Sequence, residues 1–220
     1  GWIATGLALI GFLAFLVRDR QYRIPALILL VAILGGGSLF VINAKHSQAR
    51  FQSMFTAGGV EDVRFKLWHP ALEMWRESPW LGVGPAHFDY RFRQFRPEDV
   101  QRKADRVHND YLNTLADWGI VGVALVSLAW IVLFWGVRRT WKFVRPSAER
   151  LTSRKSNKAA WVLGATTGLM AILLHSAVDF NFHIPANAIL AVTLMAILSS
   201  HARFATDRYW ISSADRKSVV

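Results

Sequence analysis

Five long apolar runs, each bounded by charge, constrain this chain more than any other feature. They read approximately as Trp2–Val17, Ile24–Ile42, Gly119–Val137, Trp161–Val178 and Ile184–Ser199. Each comes near the roughly 17 to 25 residues a helix needs to cross a ~30 Å hydrocarbon core. A backbone in lipid must satisfy its own N–H and C=O groups, which leaves helices and closed barrels. The runs are continuous and show no period-two alternation, which argues against a barrel. The expected fold is therefore all-α: a polytopic helical membrane protein with a large helical extracytoplasmic loop. A soluble domain of 220 residues would rarely be 53% hydrophobic with so many such runs.

The links between runs carry the orientation. Arg18, Arg20 and Arg23 crowd the first, and residues 138–160 hold eight Lys/Arg against one Glu. Residues 201–220 add four basic residues against two acids. By the positive-inside rule these three segments face the cytoplasm, which places residues 43–118 and 179–183 outside. The long segment has eleven Lys/Arg and ten Asp/Glu and is nearly neutral. The net charge of +11 is thus mostly a topology signal, and nucleic acid is not an expected partner. The expected organisation is two spans over 1–42, an extracytoplasmic loop region over 43–118, three spans over 119–200 and a cytoplasmic tail over 201–220. The chain starts Gly1-Trp2, with no Met and no basic n-region. It does not begin like a signal peptide and is expected to be the C-terminal portion of a longer protein. It has no cysteine, so disulfides and thiolate metal sites are unavailable.

Chemistry is expected in the long loop, which is too long for a connector and too aromatic for disorder. Its first piece, EDVRFKLWHPALEMW (61–75), reads as a helix with Glu61 and Asp62 in its first turn. Val63, Leu67 and Met74 form an apolar stripe that Pro70 kinks or divides, and Arg64 and Trp68 share a face. The plainer reading is an interfacial helix with a solvated Arg64. The second piece, ESPWLGVGPAHFDYRFRQFR (77–96), turns at Pro79, Gly82, Gly84 and Pro85. In it Arg91, Arg93 and Arg96 alternate with Phe92 and Phe95, fitting either an anionic headgroup or pyrophosphate, or simple anchoring at the interface. The third is RVHND (106–110), just before the third span. There Asp105 can cap a helix starting near Arg106, with His108 in its first turn. The helix N-terminus disfavours imidazolium, leaving a neutral histidine ready to accept a proton. No companion ligands stand at metal-binding spacing, and no cofactor is called for. In the short external link, Asp179, Asn181 and His183 are candidates to line a site beside a span.

These pieces together resemble a known family. His108-Asn109, nine residues, then Gly119-Ile-Val-Gly122 is similar to the H-N-x9-G-x-x-G pattern of the bacterial O-antigen ligase and O-antigen polymerase superfamily. Arg64 to Trp68 resembles its R-x-x-x-W, and Pro79 to Gly84 its P-x-x-G-x-G segment. HSAVDFNFHIPAN (175–187) also resembles such proteins. The resemblance implies a GT-C-like, inverting, metal-independent glycosyltransferase whose donor is a glycan on undecaprenyl pyrophosphate. It further implies His108 as base on the acceptor hydroxyl, Arg64 at the pyrophosphate, and a further loop arginine among Arg91, Arg93, Arg96 or, more weakly, Arg106. Asn109 and Asp179 are candidates for substrate binding. The acceptor would be a glycan, the lipid A core or a protein, and membrane lipids would surround the spans. The reading from a different class is a multi-span exporter or non-catalytic scaffold, for which Gly35-Gly36-Gly37 and His175 are weak hints.

Overall fold

The computed structural model describes residues 2–18, 22–43, 63–98, 100, 103–144 and 158–205. Glu61 and Asp62, and most of the basic residues counted in the 138–160 link and the tail, lie outside that set. The described residues form eight α-helices and one 3-10 turn, with no strand among them. In chain order the helices are α1 (Trp2–Val17), α2 (Arg23–Asn43), α3 (Val63–Lys66), α4 (Trp68–Glu77), α5 (Phe88–Phe95), α6 (Asp110–Val144), α7 (Lys158–His175) and α8 (Pro185–Arg203), with the 3-10 turn at Asn181–His183.

The apolar runs become α1, α2, α6, α7 and α8. Four of these are long and apolar enough to cross a membrane. At 16 residues, α1 rises about 24 Å, about a turn short of the ~30 Å core. The chain is an all-α, polytopic membrane protein, and its surface shows it. Ile28, Val31, Leu125, Ile131, Ile189 and Val192 all point outward, as side chains do when hydrocarbon is the solvent. Several predicted boundaries move: the third run continues as helix to Val144, the fourth starts at Lys158 and the fifth ends at Arg203. Two further shifts shape the site. The fourth run ends as helix at His175, three residues early, and Ser176 to Val178 turn to meet α6. The third begins much earlier, at Asp110, because a break at Gly119 (φ 63°, ψ −166°) separates a nine-residue polar lead from the span proper.

Two cores result. In the bundle, Val162, Ala165 and Leu169 of α7 pack with Ala191 and Leu198 of α8 and with Trp130 and Phe134 of α6. α1 lies along α7 and α2 touches α1. The second core belongs to the loop region, where Leu67, Ala71 and Met74 meet Phe88 and Phe92, with Val107 and Ala116 closing the cluster. The chain divides just ahead of Pro70, as its missing N–H requires: α3 ends at Lys66, Leu67 forms a tight turn on Arg64 O (3.2 Å), and α4 starts at Trp68. Buried polar side chains gather where the two cores meet, namely Asn109, Asp110, Asn113, Asp117, Ser176 and Asn181.

Candidate active site

The site is built on the break in α6. A break at Gly119 takes the carbonyls of Ala116 and Asp117 and the N–H groups of Ile120 and Val121 out of the helical ladder, and buried backbone groups need partners. The turn 79–84 supplies all four. Val83 N donates to Ala116 O (2.9 Å) and Gly84 N to Asp117 O (3.0 Å). In return, Ile120 N donates to Pro79 O (2.9 Å) and Val121 N to Trp80 O (3.1 Å). Approach this close requires glycine on both sides. A Cβ on Gly119 would lie 2.6 Å from Gly82 N, and one on Gly82 would lie 2.5 Å from Trp118 N. Both have positive φ, 63° and 71°, which L side chains avoid. The two glycine motifs, 37 residues apart in sequence, are halves of one joint.

The lead of α6 is anchored at its start. Asn109 is the cap: its Oδ1 accepts from Tyr111 N (3.0 Å) and Leu112 N (3.1 Å). The expected cap, Asp105, instead lies exposed beside Lys103 at 4.0 Å, and the helix starts four residues later than predicted. The reason is Val107, fully buried in the loop core, with its N–H on Asn113 Oδ1 (3.3 Å). That burial pulls 106–108 away from the helix axis. His108 therefore stands two residues ahead of α6, not in its first turn, and has left-handed backbone (φ 55°). For a non-glycine residue that conformation costs roughly 1–2 kcal/mol, sustained by the packing on either side.

That turn aims His108 at the segment after α7. Its Nδ1 lies 3.3 Å from Asp179 Oδ1, and its ring meets Phe180 edge-on at 4.7 Å between centroids. Arg64, on α3, reaches the same place, donating from Nη1 to Val178 O (3.0 Å) with Nη2 3.9 Å from Asp179 Oδ2. His175, at the end of α7, places Nε2 3.7 Å from Asp179 Oδ2. Residues from three distant parts of the chain thus converge on one carboxylate. Burial works to raise the Asp179 carboxyl, but the Phe180 N–H, the Arg64 guanidinium and His108 outweigh it and hold the group below its ordinary value. An Nδ1–H donated to this carboxylate leaves the Nε2 lone pair of His108 as the basic position, on a ring one-third exposed.

Behind the cluster, Asp110 is almost fully buried. Its carboxylate takes His183 Nδ1 (2.8 Å) and Phe182 N (3.0 Å), while its own N–H donates to Ser176 O (2.8 Å). Asn187 Nδ2 donates to Asn181 Oδ1 (3.1 Å), and Tyr111 Oη to Leu173 O (2.7 Å). Segment 175–187 is therefore the clamp that holds the His108 corner. Asp110, Asn113 and Asp117 were missed as a set by sequence reasoning. Their signal was a polar stripe at spacing 3 and 4 directly before a span, where Asn113 Nδ2 donates to Asp117 Oδ2 (2.8 Å).

The other loop arginines lie elsewhere. Arg91 pairs with Glu77 at 3.9 Å and with Gln94 at 3.2 Å on α5, and Arg93 and Arg96 are exposed there. Among the described residues none of the three is bonded to Arg64, His108 or Asp179, and Arg106 stands close enough to Asp117 only to act on its charge. Asn109 commits its amide oxygen to the cap.

A family model described as O-Antigen ligase matches residues 1–127. No curated protein matches the chain. The matched segment holds Arg64, the 79–84 turn, His108 and Gly119, whereas Asp179 and the rest of the clamp lie beyond it. With more than half of its residues in that match, the chain belongs to the O-antigen ligase family of membrane glycan transferases.

Proposed function

We propose that this chain carries the transfer site of an inverting, metal-independent glycosyltransferase that moves or polymerises a glycan from undecaprenyl pyrophosphate onto an acceptor hydroxyl. The observation that supports it most is the convergence of Arg64 and His108 on Asp179, at the point where α6 leaves the loop core for the bundle. The acceptor oxygen attacks the anomeric carbon as the bond to the pyrophosphate oxygen breaks. The acceptor proton passes to His108 Nε2, and Asp179, behind Nδ1, stabilises the imidazolium that forms. Arg64 faces the leaving pyrophosphate, since the guanidinium fork suits phosphate oxygens bidentately and Val178 and Asp179 set its angle. A diphosphate leaves readily once its charge is met, so the reaction asks for aim and charge stabilisation more than for a strong acid.

A lipid-borne donor must react at the membrane surface, and the cluster stands where α7 ends and the lead of α6 begins. With the basic links in the cytoplasm by the positive-inside rule, it would face the periplasm from the inner membrane. Arg91, Arg93 and Arg96 would then meet the glycan or its phosphates as they approach α5, and Asn109 positions His108 through the cap. Acceptors of this chemistry are a growing glycan, a lipid A core or a protein hydroxyl.

The test uses the full-length gene in its own host, deleted and restored as wild type or His108→Ala at matched protein levels. Expected is accumulation of undecaprenyl-linked glycan with loss of the surface product, in the deletion and in His108→Ala alike. Single repeats in the accumulated lipid indicate a polymerase and long chains a ligase. A surface product restored by His108→Ala would overturn the proposal and favour an exporter or scaffold.

A further inference from the structure

We propose that the groove between α1, α6 and α7 binds an anionic membrane phospholipid, with its phosphate on Arg138. The groove has a volume of about 430 Å³. Phe12 and Phe15 of α1, Phe134 and Trp141 of α6 and Val162 of α7 form its walls, and Arg138 is the one charged side chain lining it. Thr166 and Thr167 also line it; the Thr166 hydroxyl is spent on Val162 O (2.6 Å) within the helix, and the wall apart from Arg138 is mostly apolar.

Shape and charge both select this occupant. Along α7 the lining runs from Val162 to Leu174, which is about 18 Å of helix and close to one leaflet of a ~30 Å core. A volume of about 430 Å³ spread over that length accommodates an extended hydrocarbon chain. The long axis follows the helices, as a lipid chain does. At the Val162 end, α1 finishes at Val17 beside Arg18, α6 carries Arg138, Arg139 and Lys142, and α7 begins at Lys158. The headgroup end is therefore the basic end. Among the described residues no carboxylate pairs with Arg138, so a phosphate there supplies the missing charge-assisted partner. Basic pockets between spans hold acidic headgroups in this way. Free phosphate satisfies the arginine but leaves the apolar wall uncovered, and a zwitterionic lipid covers the wall but brings a phosphate whose charge its own ammonium offsets.

The experiment extracts the full-length protein in mild detergent and measures co-purified lipid by native mass spectrometry. Wild type, Arg138→Gln and Gly11→Leu are compared. Gly11 lines the groove with nothing within 4 Å of an added Cβ, so a leucine there has room at its Cβ and extends into the groove. Wild type is expected to retain phosphatidylglycerol or cardiolipin above its share of the membrane. Arg138→Gln should lower that enrichment about fivefold, and Gly11→Leu should lower retention of lipid of any headgroup. In parallel, phosphatidylglycerol should raise the melting temperature of wild type more than phosphatidylcholine does, and of Arg138→Gln no more. Equal stabilisation of wild type by the two lipids would overturn the proposal. So would the same lipid complement on all three proteins, the result expected if another part of the whole chain covers the groove.

Discussion

Gly119→Ala tests the joint on which the site rests. Alanine at φ 63°, ψ −166°, a region essentially reserved for glycine, costs roughly 1–3 kcal/mol. Its Cβ also meets backbone, including Gly82 N at 2.6 Å, which has no flexible end to swing away. The 79–84 turn must move, and the four hydrogen bonds to Ala116, Asp117, Ile120 and Val121 contribute about 0.5–1.5 kcal/mol each. Loss of the conformation term and half of those bonds is about 2–6 kcal/mol, and of all four about 3–9. For a chain of this size a loss of about 3 kcal/mol lowers the melting temperature by roughly 6–12 °C. The control is Gly35→Ala in α2, with open space at its Cβ. Removing a helical glycine there should be neutral or slightly stabilising. The assay is thermal unfolding of both full-length variants in the same detergent, with proteolysis of the loop as a second readout. Adding Gly82→Ala to Gly119→Ala should cost far less than the sum of the two, because both open the same joint. A Gly119→Ala protein as stable as Gly35→Ala, with an equally resistant loop, would refute the interlock.

Asp179→Asn preserves shape but removes the charge behind His108, and should lower the transfer rate about 10²–10⁴-fold while leaving insertion unchanged and lowering the melting temperature at neutral pH by no more than that carboxylate's charge contribution. The same carboxylate sets a pH limb. Its folded value is depressed, so its stabilising contribution is complete above the ordinary value of about 3.9 and is lost as pH falls through the folded value. Melting temperature should accordingly show a loss below about pH 4 that Asp179→Asn abolishes. Asp110→Ala leaves Phe182 N and His183 Nδ1 without their acceptor and should cost about 1–3 kcal/mol, read as a lower melting temperature. In the transfer assay Arg64→Lys should recover little of the activity lost in Arg64→Ala, because a point charge does not replace the fork.

The spans were legible because hydrophobicity along a run is a one-dimensional property, and lipid tolerates few other uses of it. Pro70 was legible for a similar reason, its missing N–H being local. The start of α6 was not. Asp105 and Asn109 both satisfy the capping rule, and only the burial of Val107 in a core assembled from α4 and α5 decides between them. Gly119 read as the beginning of a span, whereas it is a break held open by a turn 37 residues earlier. His108 and Arg64 carried a motif signal, but their contacts with Asp179 and Val178 span 71 and 114 residues and no local pattern encodes them. The alternation of Arg91, Arg93 and Arg96 with phenylalanine reflects the helix α5, which buries Phe92 in the loop core and turns these arginines toward solvent and Glu77.

The most direct measurement supplies purified full-length protein with a synthetic undecaprenyl-pyrophosphate glycan and a soluble acceptor, in the presence of chelator, and follows both the product and its anomeric configuration. Wild type is expected to give a product of inverted configuration, and equally folded His108→Ala none above background. Comparable turnover by His108→Ala would contradict the proposed mechanism, as would a product of retained configuration.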